Sequence, residues 1–255
     1  MRMRLPTALR FIIVCCLAGV TLCRAQPPQT TKSGLLTRKT SREALLEKGI
    51  GVDPKSLIEA LSNPDAEIRG LAAMRLATDH ISSGVPALRN AIPNESDQLA
   101  GFRMAMSLAS LDPESGEPYV ISLCQNVALG AAQNINAANV LSDLDPIAAV
   151  RSCGPTLEAI VEKRASAPDE AARALSSLAR LQPKLADASA VKLRKISIEL
   201  LSSKEYSLRF AAITWLTHDE SDEARRAILR ASDSEKDPGL RSTLRHSMES
   251  RAVHQ

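Results

Sequence analysis

The chain has 255 residues, 44% of them apolar and 24% charged, with 14 Pro, 11 Gly and only six aromatic side chains. That mixture excludes a disordered chain and suits one or two domains with a sizeable core. The net charge of +3 comes from the start: Arg2, Arg4, Arg10 and Arg24 precede Gln26 with no acid among them, which leaves 28 basic residues against 29 acidic ones after it. Without a basic excess, and with only Phe102, Tyr119, Tyr206, Phe210 and Trp215 to stack on bases, a nucleic-acid partner is not expected.

Met1 to Arg10 is basic, Phe11 to Cys23 is a largely apolar run of thirteen residues, and Cys23-Arg24-Ala25 places small residues three before and one before a cut ahead of Gln26. This is the layout of a secretory signal peptide over 1–25, cleaved after Ala25. The run is shorter than the roughly 20 apolar residues a spanning helix needs, so a retained anchor is the weaker reading, and no later segment is apolar enough to span a bilayer. Localisation is therefore expected to be exported, periplasmic or secreted. Neither Cys16 nor Cys23 follows a small residue as a lipidated Cys would. Only Cys124 and Cys153 remain after the leader; they either bridge each other in an oxidising compartment or stay as two buried thiols.

Residues 26–40, opening Gln26-Pro27-Pro28-Gln29, read as a flexible linker. A short N-terminal helix is expected within 41–52, because Thr40-Ser41-Arg42-Glu43 is a capping box and Gly49 is placed to end it. From 53 to 252 one element recurs. Asp53-Pro54, Asp112-Pro113, Asp145-Pro146 and Asp237-Pro238 each set a capping Asp before a Pro whose missing N–H would be unpaired in a first helical turn anyway. Between these marks apolar residues fall at helical spacing and alternating runs are absent. The expected fold is all-α.

Asp65/Arg69, Asp169/Arg173, Glu205/Arg209 and Asp237/Arg241 each put an acid at a helix start and an Arg four residues on, a pair that suits the positive helix end and predicts an i,i+4 contact. With Arg103 and Asn139 in the missing places, the series 69, 103, 139, 173, 209, 241 has a period near 35, the mark of a helical solenoid. Six helix pairs are predicted: about 54–78, 84–110, 114–143, 146–181, 188–217 and 220–250. In the fourth, Pro155 is expected to interrupt 146–164, so that the first helix begins after Gly154, with a kink or an extra turn there.

Asn63-Pro64-Asp65-Ala66-Glu67-Ile68-Arg69-Gly70-Leu71-Ala72-Ala73 resembles the second helix of a HEAT repeat, with Ser207-Leu208-Arg209-Phe210-Ala211-Ala212 and Gly239-Leu240-Arg241 as partial copies. The resemblance covers about residues 54 to 250. It implies a right-handed α-solenoid, an α-α superhelix of about six hairpins, with second helices on the concave face, no catalytic residues and no cofactor. It also implies that Asp65, Arg69, Asp169, Arg173, Glu205, Arg209, Asp237 and Arg241 form a structural ladder between repeats; the alternative is a basic stripe on the concave face. Tetratricopeptide repeats share the period, but their Trp, Gly and Tyr positions are not filled.

The search for chemistry turns up little. Phosphate-loop, dinucleotide, zinc-protease and nucleophile-elbow motifs are missing. Ser189-Ala190-Val191-Lys192 matches the Ser-x-x-Lys of penicillin-recognising enzymes without its partner motifs. His80, His218, His246 and His254 are too scattered to ligate zinc, and His218-Asp219-Glu220-Ser221-Asp222-Glu223 lacks the Gly-centred loop of a Ca²⁺ site and reads as helix capping on a solvated face. Asn94-Glu95-Ser96 has the form of a glycosylation acceptor. The last unit, with Arg225, Arg226, Arg230, Arg241, Arg245 and Arg251, reads as a soluble terminal cap. The leading expectation is a non-enzymatic scaffold holding a protein or peptide partner on its concave face. A structural envelope role and an accessory or lyase-like enzyme remain as alternatives.

Overall fold

The computed structural model describes residues 39–126 and 128–252. The signal peptide read over 1–25, its cleavage site and nearly all of the linker lie outside the described residues. Within them the chain is all-α: thirteen α-helices form a lead helix and six successive hairpins, stacked as a solenoid. After α1 (Ser41–Glu47) the hairpins are α2 (Pro54–Ala60) with α3 (Ala66–Thr78), α4 (Val85–Ala91) with α5 (Gln98–Leu111), and α6 (Pro113–Gln125) with α7 (Ala131–Leu144). Then follow α8 (Pro146–Glu162) with α9 (Pro168–Leu181), α10 (Asp187–Leu200) with α11 (Tyr206–His218), and α12 (Asp222–Ser234) with α13 (Pro238–Ala252).

The starts are set by side chains. Asp53, Asp112 and Asp145 accept backbone N–H groups at the heads of α2, α6 and α8, each with Pro in the first turn, and Asp237 takes the Leu240 N–H at the head of α13. Thr40 and Glu43 close a reciprocal capping box on α1. Its end is set by Gly49, at φ 74°, where the Ile50 N–H reaches back to the Leu45 carbonyl. The same left-handed stop ends α3, but there the residue is His80, at φ 54°.

Second helices pack side by side, α3 on α5 and α9 on α11 most closely, and small side chains permit it: Ala72, Ala73, Ala137, Ala138, Ala171, Ala172, Ala211 and Ala212 are all buried. The core forms two clusters, one from Leu45 to Leu108 and one from Ala105 to Leu244, with half-buried Tyr119 packed against both. Trp215 is fully buried in the second.

One expectation fails in the fourth hairpin. Helix α8 starts at Pro146 and runs unbroken through Gly154 and Pro155. The physical reason is a buried face that keeps its register across the proline: Ala149, Cys153, Leu157 and Val161 all point into the core. Pro155 itself is exposed, as is Arg151, whose carbonyl loses its helical donor to the ring.

Candidate functional site

The arginines of the predicted ladder do not bond to the acid four residues before them. Arg69 instead reaches the next hairpin: its Nε and Nη2 donate to the two oxygens of Glu95, both at 2.6 Å. Its Nη1 donates to the Asn63 and Pro64 carbonyls of the turn before its own helix, at 2.7 and 3.0 Å. Arg209 repeats this, bonding Glu235 at 3.0 Å and the Ser203 and Lys204 carbonyls at 2.9 and 3.1 Å. Arg241 keeps half of the device and pins the Glu235 carbonyl. The acids are spent elsewhere: Asp65 caps α3 and accepts from Lys48, Asp169 accepts from Ser207 across to α11, Asp237 caps α13, and Glu205 is the cap residue of α11 without a side-chain cap bond. Two of the four arginines, Arg69 and Arg209, thus join neighbouring hairpins, through glutamates that sequence spacing did not single out. A signal was present: Glu95-Ser96-Asp97 and Glu235-Lys236-Asp237 both place the joint Glu two before a capping Asp.

Glu95 is buried with its carboxyl below the ordinary 4.5, because Arg69 donates to it; burial pushes the other way, and the Asp97 N–H helps hold the charge. A related joint links α10 to the start of α12, where Arg194 Nε donates to Asp219 at 2.6 Å. Burial alone would raise the Asp219 carboxyl, but Arg194 and Ser221 outweigh it and hold it low. Asp219 is therefore no part of a solvated acidic face; it is 3% exposed.

The period itself needs correction. Arg69, Arg209 and Arg241 each occupy the fourth position of their helix, and the residues at that position in α5, α7 and α9 are Gly101, Asn134 and Ala171. Asn134 is buried and reaches back to the Leu129 carbonyl at 3.4 Å, a short substitute for the arginine. Arg103 and Arg173 lie two residues further along and Asn139 five, and they serve another surface. The hairpins differ in length, so an even spacing drew unlike positions together.

That other surface is the exposed face of the second helices. One groove of about 430 Å³ runs over α3, α5 and α7, lined by Met74, Phe102, Arg103, Met106 and Val140. A second of about 620 Å³ runs over α7, α9 and α11, lined by Arg173, Ser176, Arg180, Tyr206 and Phe210. Asn139 borders both, so the two grooves adjoin at α7 and together make a track across five helices. With helix axes about 9–10 Å apart the track is about 40 Å long, room for roughly twelve residues of extended chain. Tyr206 and Phe210 stand 52% and 44% exposed and Met74 40%. Arg180 pairs with Asp143, Arg173 has only the Asn136 amide oxygen at 3.4 Å, and Arg103 makes no ion pair among the described residues.

The structure joins Cys124 and Cys153 in a disulfide, tying α6 to α8 across hairpins three and four. Thr156 adds a bond to the Cys124 carbonyl at 3.0 Å. Lys192, of the Ser-x-x-Lys match, is taken up by Glu158 and Glu162 at 3.0 and 2.6 Å. Glu95, of the glycosylation match, is the buried joint residue. Among the described residues no group of three or more His, Cys, Asp or Glu is placed to hold a metal ion, and no helix is long and apolar enough to cross a membrane.

Comparison with solved structures finds an engineered protein, target OR329 of the Northeast Structural Genomics Consortium, at 18% identity and a TM-score of 0.48, covering 77% of this chain and 95% of that one. A second engineered protein, target OR497 of the same consortium, is 19% identical with a TM-score of 0.46 over 80% of this chain and 58% of that one. No family model matches the chain, and no curated protein matches it.

Proposed function

We propose that this chain is an exported, HEAT-like repeat module that does no chemistry of its own and holds an extended segment of a protein partner along the second-helix face. The observation that carries the reading is the pair of adjoining grooves across α3, α5, α7, α9 and α11. It gathers three of the five aromatic side chains outside the leader, Phe102, Tyr206 and Phe210. Exposed aromatics beside arginine are the residue types that anchor protein interfaces. Asn136, Asn139 and Ser176 offer hydrogen bonds to a peptide backbone laid along them. Export is supported by the leader pattern and by the Cys124–Cys153 bond, which persists in oxidising compartments.

The test is site-directed photocrosslinking in the native host, with the reactive side chain at 139, at 210 or at 147, where Ile147 is 64% exposed on a first helix. Discrete adducts are expected from 139 and 210, that from 139 lost on Phe210→Glu, and none from 147. Equal labelling from all three positions, or none from the track, rejects the reading. Intact mass of the recovered protein should begin at Gln26.

A further inference from the structure

Hairpins one and two, and hairpins five and six, build the same cleft twice. Ile58, Leu61, Ser62, Ala87 and Ala91 line the first, of about 760 Å³, and Ile198, Leu201, Ser202, Ala227 and Ala231 line the second, of about 610 Å³. Each residue of the second set is the same type as its counterpart 140 positions earlier. The Arg69–Glu95 joint closes the first cleft and Arg209–Glu235 the second. Five lining positions differ: Asn63 and Asn94 become Ser203 and Ser234, and where the first has Pro64, Asn90 and Ser96, the second has Lys204, Arg230 and Lys236.

None of these three cations makes an ion pair among the described residues. The one carboxylate lining the second cleft, Glu235, is occupied by Arg209 and by the Asp237 N–H. Three uncompensated positive charges therefore face an apolar floor. The backbone beneath both lysines is fixed: Arg209 donates to the Lys204 carbonyl at 3.1 Å, and Arg241 holds the Glu235 carbonyl at 2.6 Å, next to Lys236. The first cleft has Gly101 where the second has Arg241, so this second clamp is an addition. The first cleft also shows that the joint closes without any of the three cations. Mutual repulsion makes them a cost to folding, and an anion removes that cost.

We propose that the cleft between hairpins five and six binds a phosphate monoester, its dianionic group among Lys204, Arg230 and Lys236 and its aliphatic part on Ile198, Leu201, Ala227 and Ala231. A phosphate monoester supplies close to two charges and three acceptor oxygens at neutral pH, which suits three cations lining one cleft. This site is separate from the second-helix track, and the two stand or fall independently.

The experiment titrates the mature chain by calorimetry with hexyl phosphate and with inorganic phosphate, and by co-sedimentation with phosphatidylcholine vesicles containing a minority of phosphatidic acid, whose headgroup is itself a phosphate monoester. The variant Lys204→Pro/Arg230→Asn/Lys236→Ser gives the second cleft the first cleft's residues at the three positions that differ in charge, and thermal melts confirm that it folds. Hexyl phosphate is expected to bind at one site, more tightly than inorganic phosphate, and the triple variant to lose about a hundredfold or more, at roughly tenfold per charge-assisted contact. Vesicle binding lost in the triple variant alongside hexyl phosphate binding identifies the ligand as a lipid headgroup; hexyl phosphate binding alone identifies a soluble ester. No hexyl phosphate binding, or binding unchanged in the triple variant, overturns the proposal.

Discussion

Replacing Arg69 by Ala tests whether the hairpins are joined as described. The change leaves Glu95, whose side chain is 1% exposed, with the Asp97 N–H as its remaining bond, and it strips the Asn63 and Pro64 carbonyls of their donor. Removing one partner of a buried pair costs about 3–5 kcal/mol, and because the turn carbonyls recover bonds from water the lower figure, about 3 kcal/mol, is expected here. For a domain of this size that is a fall of about 6–12 °C in Tm. Glu95→Ala, which leaves Arg69 its two carbonyls, should cost less, and the double variant should fall short of additivity by about 2 kcal/mol. The effect has a sign in pH. Arg69 holds the Glu95 carboxyl below its ordinary 4.5, so the stabilisation is fully present above that value and is lost as pH falls through the folded-state value. Urea melts followed by circular dichroism at neutral pH and near pH 3 read all of this. Additive single costs, or an Arg69→Ala defect that stays the same in acid, refute the joint.

Reducing the Cys124–Cys153 bond, which spans 29 positions, should cost about 3–4 kcal/mol by loop entropy, read as a lower urea midpoint with reductant that Cys124→Ala/Cys153→Ala no longer shows. An unmoved wild-type midpoint speaks against the bond. Gly116→Ala and Gly154→Ala, both inside helices, should move stability in opposite directions. A Cβ at 116 meets the Ala109 backbone at 2.2 Å and should cost about 1–3 kcal/mol or more, whereas at 154 nothing lies within 4 Å and alanine should gain about 0.5–1 kcal/mol; thermal melts decide. His80→Gly, at the left-handed stop of α3, should gain about 1 kcal/mol; a loss there in the same melts means the imidazole makes a contact worth more than the backbone strain.

The hairpins were legible because their starts are written in short-range chemistry. An Asp before a Pro, or a Thr three before a Glu, decides a helix start with no help from the rest of the chain, and every such mark heads a helix in the structure. Pro155 misled for a long-range reason: whether a helix continues past a proline depends on what its other face buries, and that face is supplied by neighbouring hairpins. The arginines misled differently. Asp65 and Arg69 are four apart and helical, so a local rule pairs them, yet Glu95 wins because it sits in a dry seam with no other strong donor. The track over the second helices had no signature beyond scattered aromatics, since Asn139 and Phe210 meet only once unequal hairpins are stacked.

The fastenings along the stack are not of one kind. Hairpins one and two are held by Arg69 with Glu95, and hairpins five and six by Arg209 with Glu235 and Arg194 with Asp219; the waist is held by a covalent bond between α6 and α8. Acid, by discharging Glu95 and Asp219, slackens the two ends and leaves the waist fastened, and a reductant does the reverse. The molecule comes apart from opposite places under two different chemical insults, so the order in which its hairpins are lost reports which one it has met.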